Sequence, residues 1–196
     1  MHPEILSIAL FWFVTAYTPG PNNVVASYSG FNFGINKTIP HILGVTLGFT
    51  SLVIFLVVGL INVFKLFPII QIVIKYLGTV FLVYLAYKIA SSTKSTDVER
   101  ENPVKFIETF VFQFLNPKAV IASIIIVSTY IKVGENFVSH TTQIVILALL
   151  VSVTSITLWT FLGKFFRKFA TNQKFINYFN YVMSLLLLLS ILTFYL

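Results

Sequence analysis

The chain has 196 residues, 57% of them hydrophobic and 10% charged, with a formal net charge of +7. A soluble domain carries about 25% charged residues, so this composition excludes a water-soluble globule and marks an integral membrane protein. Cysteine is absent, which excludes disulfides, thiol redox chemistry and Cys-ligated metal sites; the basic excess fits Lys and Arg retained in cytoplasmic loops rather than nucleic-acid binding.

Six hydrophobic segments follow one another at 5–29, 38–63, 69–89, 106–131, 141–162 and 176–196. The first opens on MHPEILSIALFWF, without a basic start or a small-residue cleavage site, so a removable signal peptide is not expected. It is interrupted at TPGPNN, residues 18–23. Proline removes a backbone donor and clashes with the preceding turn, so a helix ends or kinks there. Ile5 to Tyr17 makes roughly 20 Å of helix, short of the ~30 Å hydrocarbon core. The break is therefore expected within the membrane, with the crossing completed from Val24 onward.

The second segment contains GVTLG, whose Gly44 and Gly48 are spaced for close helix approach; Gly30 and Gly34 repeat that spacing around the first link. Gly78 offers a further packing position in the third segment. Such contacts fit packing within the chain or a homodimer. A histidine's ordinary pKa lies near neutrality, which makes His41 a candidate for coupling, against the plainer reading of a helix-end histidine facing headgroups. The polar stretch SSTKSTDVERENPVK, residues 91–105, holds three of the six acids and divides the chain nearly in half.

The fourth segment repeats the interruption. FIETFVFQFL, about 15 Å of helix, gives way at Asn116–Pro117–Lys118 to AVIASIIIVSTYI. Pro19 and Pro117 are separated by half the chain length. Each half thus reads as an interrupted span followed by two continuous ones, and an odd number of spans inverts the second half. The expected fold is an all-α integral membrane protein: six transmembrane helices as two inverted three-helix repeats, the first helix of each interrupted at a Pro motif. It forms one transporter domain over 1–196, with repeat 1 at about 1–90, a linker at 91–105 and repeat 2 at about 106–196. Paired Pro/Gly interruptions in corresponding places point to a midplane binding site.

With six spans, the links after segments one, three and five carry Lys37, Lys88, Lys94, Arg100, Lys105, Lys164, Arg167, Lys168 and Lys174; the other side has Lys65, Lys75 and Lys132. This asymmetry places the loops of the first set in the cytoplasm and both termini outside the cytoplasmic membrane.

Backbone left unpaired in a membrane must be buried in protein or line a wet cavity. A half-helix starting there presents free N–H groups and a positive dipole end, which suits an anion. The candidate substrate-binding residues are Thr18, Pro19, Gly20, Pro21, Asn22, Asn23, Asn116, Pro117 and Lys118. Asn116 is placed to cap the helix beginning at Pro117. A mid-span ammonium is costly unless paired or hydrated, so Lys118 is expected either to hold a substrate carboxylate or to bind carbonyls freed by the break. With no acid at the midplane, a substrate ammonium is expected on unwound carbonyls near Thr18 and Leu115. Tyr17 is expected to face the cavity; Glu108 is a coupling candidate or an interfacial acid; Trp12 and Trp159 read as interfacial belt residues. No metal site or cofactor is expected.

TPGPNNVVASYSGFNFGINKTIPHILGVTLGF resembles the opening signature of the LysE/RhtB family of amino-acid exporters. IKYLGTVFLVYLAYK is similar to that family's third-span pattern and FQFLNPKAVIA to its NPK motif. The resemblance covers most of residues 1–131. Thr38 and Thr109 stand where the family often has glycine, Gln113 where it often has Asn, and Phe49 where many relatives are more polar. The resemblance implies a secondary transporter exporting an amino acid, with a neutral or zwitterionic one fitting the lack of a midplane acid, driven by the proton gradient. A cation or metal exporter and a passive channel are the alternatives within this fold. An intramembrane enzyme is disfavoured, since no nucleophile–base pair, HExxH or paired acids lie within a span. The partners implied are a small-molecule substrate and membrane lipid, with no nucleic acid.

Overall fold

A computed structural model describes residues 4–91, 103–132, 134–192 and 195. Most of the polar linker, with Lys94 and Arg100, lies outside the described residues. Within them the chain is helical, without a strand: α1 (Ile5–Tyr17), α2 (Pro21–Phe55), a π-helical turn (Leu56–Leu60), α3 (Ile61–Leu66), α4 (Ile69–Ser91), α5 (Phe106–Leu115), α6 (Pro117–Tyr130), α7 (Phe137–Arg167) and α8 (Gln173–Leu192).

Both interruptions are present. α1 ends at Tyr17, Thr18 turns to an extended conformation, and α2 restarts with Pro21 at its first position. There the missing proline N–H costs nothing, because it would have been unpaired anyway. α5 and α6 meet at Asn116 with a 59° bend, again with proline opening the second helix. The residue matching Pro117 is therefore Pro21 rather than Pro19, which lies in the link.

By length and apolarity, four helical stretches among the described residues are able to cross a membrane: Pro21–Gly59, Ile72–Ser91, Phe137–Arg167 and Gln173–Leu192; the bent α5–α6 pair makes a fifth. The first of these is not straight. Gly34 adopts φ 77° and ψ 178°, a region open essentially to glycine alone. Residues nine apart in a straight helix lie ~13 Å apart along its axis, yet the Ser29 and Thr38 hydroxyls are 2.8 Å apart. His41 Nε2 likewise lies 3.3 Å from the carbonyl oxygen of Asn22. The chain reverses at Gly34, and α2 is a hairpin of two arms, 21–33 and 35–55. Thr38 fastens the turn by donating to the Gly34 carbonyl at 2.7 Å.

Glycine sets the closest helix contacts. A Cβ on Gly30 would run into the Thr160 carbonyl of α7, and one on Gly163 into the Ser27 carbonyl of α2. A Cβ on Gly44 would strike the Thr109 side chain and Phe106 carbonyl of α5; Gly48 faces the Phe110 carbonyl, and Gly78 of α4 faces the Leu115 carbonyl at the second break. Gly30, Gly44, Gly48, Gly78 and Gly163 are all in contact with other helices of the chain.

α4 shows how the molecule meets its surroundings. Leu82, Leu85, Ala86 and Ile89 are buried, while Ile72, Tyr76, Val80, Val83 and Tyr87 stand exposed. An apolar outer face on a helix that already has an apolar inner one belongs against lipid. Ser184 of α8 donates to the Ala86 carbonyl at 2.8 Å, the kind of hydroxyl contact that joins helices in a membrane.

Candidate transport site

The two breaks converge on one cavity of about 80 Å³, room for several waters or a compact solute. Its wall is built at the breaks from Gly20, Pro21, Asn22, Asn23, Asn116 and Lys118. Six of the nine sequence-derived candidates thus share one wall. Thr18, Pro19 and Pro117 do not line it; the first two are exposed and in contact with Lys118, and Pro117 is buried at the start of α6.

Each half-helix start is satisfied differently. At α6, Asn116 caps: its side chain accepts from the Lys118 N–H at 3.2 Å, and the first intrahelical bond runs from Val120 N–H to the Asn116 carbonyl. At α2 no side chain caps. The first intrahelical bond runs from Val24 N–H to the Gly20 carbonyl, so the N–H groups of Asn22 and Asn23 have no partner within the helix.

The carbonyls freed at the end of α1 are taken up by the protein. Asn23 Nδ2 donates to the Ala16 carbonyl at 2.7 Å and to the Thr18 carbonyl at 2.8 Å. Ser155 of α7 donates to the same Ala16 carbonyl at 2.7 Å. Lys118 Nζ donates to Thr18 Oγ1 at 2.9 Å and approaches the Thr18 and Pro19 carbonyls at 3.4 Å. The ammonium thus rests at the negative end of α1 and crosses Gly20, where a Cβ would lie 3.1 Å from Nζ. Neither carbonyl expected to receive a substrate ammonium is open: Thr18 is engaged by Asn23 and Lys118, and Leu115 faces Gly78.

Asn22 faces α5. Its Nδ2 donates to Gln113 Oε1 at 2.8 Å, and Gln113 Nε2 donates back to Asn22 Oδ1 at 3.2 Å. Gln113 also donates to the Thr109 carbonyl at 2.8 Å. Each amide oxygen in this pair keeps a second lone pair.

Three further candidates lie elsewhere. Tyr17 does not face the cavity; its hydroxyl donates to Thr154 at 2.8 Å and its ring stacks on Phe13. Glu108 is at the start of α5, where its carboxylate accepts the Lys105 N–H at 3.0 Å, closing the helix terminus instead of serving a wet cavity. His41 is neither on the cavity wall nor at a headgroup surface. The reversal at Gly34 folds it inward to 1% exposure, with Nε2 toward the Asn22 carbonyl and Nδ1 without a partner.

The opposite wall was not legible as a site. Trp12, expected in an interfacial belt, is buried and meets Phe49 edge-on at 6.0 Å, and both line the cavity with Ala119, Ala122 and Ser152. The signals for them are slight: Trp12 precedes Ala16 by one turn, and Ser152 and Ser155 form a polar pair within an apolar run.

Residues 13–195 match the model of the LysE type translocator family. The chain belongs to that family. Its members are translocators, which sets the enzyme reading aside. The chain is 28% identical over 192 residues to a cysteine/O-acetylserine efflux protein of Escherichia coli O139:H28, covering 96% of each chain. Proteins of the same description from E. coli K12 and Shigella sonnei are 28% identical over 191 residues, with 95% of each chain covered. No solved structure matches.

Proposed function

We propose that this LysE-type translocator exports a small zwitterionic amino acid across the cytoplasmic membrane, with the site between its two interrupted helices. The observation that carries the reading is the joining of both half-helix starts and Lys118 around one cavity whose described lining has no carboxylate. The substrate carboxylate takes the uncapped N–H groups of Asn22 and Asn23 and the Lys118 ammonium; all three favour negative charge. The substrate ammonium turns to the spare lone pairs of Asn22 Oδ1 and Gln113 Oε1, a neutral acceptor pair in place of a carboxylate. The efflux proteins similar to this chain are named for amino acids of that charge type.

The architecture proposed is six spans in two inverted halves within one domain. Its support is the reversal at Gly34, which divides the longest apolar stretch into two crossings. The broken pair α1 and arm 21–33 then corresponds to α5–α6, arm 35–55 with α3 to α7, and α4 to α8. The basic asymmetry of the loops supports both termini outside. The proton gradient drives export, as the family resemblance implies.

Efflux of labelled amino acids from preloaded cells tests the function. Loss of labelled small neutral amino acids beyond that of cells lacking the protein, abolished by a protonophore, is the expected result. A protein in good yield that moves no amino acid overturns the reading. A C-terminal reporter active only in the cytoplasm overturns the topology.

A further inference from the structure

Among the described residues the cavity wall carries three hydroxyls: Thr15, Ser152 and Ser155. Thr15 donates to the Phe11 carbonyl at 2.8 Å and Ser155 to the Ala16 carbonyl at 2.7 Å. Ser152 is 5% exposed, and among the described residues its hydroxyl has no hydrogen-bond partner. Thr141 of the same helix is likewise unpartnered but stands outside the cavity lining. Thr142, Thr154 and Thr160 of α7 each donate to the carbonyl four residues earlier, at 2.8, 2.6 and 2.8 Å. A hydroxyl in an apolar setting normally takes this option, because leaving it unpaired is costly. Ser152 instead keeps its hydroxyl on the wall.

The placement of that hydroxyl relative to the breaks sets a length. Trp12 precedes Ala16 by one turn of α1, Ala122 follows Lys118 by one turn of α6, and Ser152 precedes Ile156 by one turn of α7; all six line the cavity. The apolar end therefore lies about 6 Å from the residues at the breaks along α1 and α6, and Ser152 stands one turn from Ile156 on the unbroken α7. Phe49, edge-on to Trp12, lines that end. A free amino acid anchored at the breaks has one helical turn for its side chain, with Ser152 beside it.

We infer that Ser152 and Phe49 select the substrate's side chain: Ser152 hydrogen-bonds a heteroatom near its β-carbon, and Phe49 limits its length, so short side chains with a hydrogen-bonding heteroatom are preferred over apolar ones. This inference rests on the export reading, and assigns the specificity of that same site to two residues. Neither residue contributes to the charged end of the cavity, so both are expected to alter ratios between substrates.

Counterflow in proteoliposomes of the full-length protein, with labelled L-serine, L-alanine and L-leucine measured in parallel, tests it. Ser152→Ala is expected to lower the ratio of serine to alanine counterflow roughly three- to tenfold, the range of one hydrogen bond. Phe49→Ala is expected to raise the ratio of leucine to alanine. If the wild type moves serine and alanine and both variants leave these ratios within twofold, the inference is overturned while the export reading stands. If the wild type moves none of the three, the export reading falls and takes the inference with it.

Discussion

Lys118 Nζ lies 2.9 Å from Thr18 Oγ1, so a cation on the second interrupted helix fastens the break in the first. The same ammonium is proposed to meet the substrate carboxylate. A hydrogen bond to a charged group contributes about 1.5–3 kcal/mol, so Lys118→Met is expected to lower export roughly ten- to hundredfold. Lys118→Arg is not expected to restore it, because Nζ packs so closely over Gly20 that even an added Cβ there would lie 3.1 Å away, which leaves a guanidinium short of space. Efflux normalised to folded protein by size-exclusion chromatography measures both. Wild-type export by Lys118→Met removes Lys118 from the binding site.

Gly20 gives a gentler probe of the same group. Its backbone is extended, with φ −167°, so alanine is allowed there without strain. The added Cβ meets only the far end of a flexible side chain. Gly20→Ala is expected to cost about 1 kcal/mol in stability, as glycine is preferred to alanine at such a cap, yet to lower export several-fold by displacing the ammonium. A small drop in the thermal midpoint in detergent with a several-fold loss of efflux per folded protein is the expected pair of results. Unchanged efflux separates the position of Lys118 from transport.

The proline motifs made the breaks legible, because proline acts on the backbone wherever it lies. Their residues could be named without knowing which helix packs where. The far wall could not. Trp12, Phe49, Ala122 and Ser152 lie in runs so uniformly apolar that no periodicity separates an inward face from a lipid-facing one. His41 was misread for a related reason: its burial depends on the reversal at Gly34, a single backbone conformation that folds arm 35–55 onto arm 21–33. Tyr17 was placed by proximity to the break, but its hydroxyl reaches Thr154 of α7, while Glu108 accepts the Lys105 N–H at its own helix start.

The Asn22–Gln113 pair joins the two halves through two reciprocal bonds. Gln113→Leu leaves the Asn22 amide and the Thr109 carbonyl each short of a partner, and is expected to cost about 1–3 kcal/mol. In a double-mutant cycle with Asn22→Ala, the two losses are expected to be non-additive by about 1 kcal/mol. Thermal or chemical unfolding in detergent supplies the four values. Strict additivity means the amides do not interact.

Gly30 and Gly34 stand one helical turn apart in sequence and are needed for different reasons, which a size series separates. At Gly30 a Cβ runs into the Thr160 carbonyl, part of the α7 backbone and unable to swing aside. Overpacking of this kind costs roughly 1–3 kcal/mol and grows with each added atom, so Gly30→Leu is expected to be far more destabilising than Gly30→Ala. At Gly34 nothing lies within 4 Å of a Cβ, and the demand comes from φ +77°. Such a conformation costs a non-glycine residue about 1–3 kcal/mol, paid once at the first carbon, so Gly34→Ala and Gly34→Leu are expected to lower the thermal midpoint by similar amounts. A steep dependence on side-chain size at position 34 would contradict an open turn there. A flat one at position 30 would contradict direct backbone contact between α2 and α7.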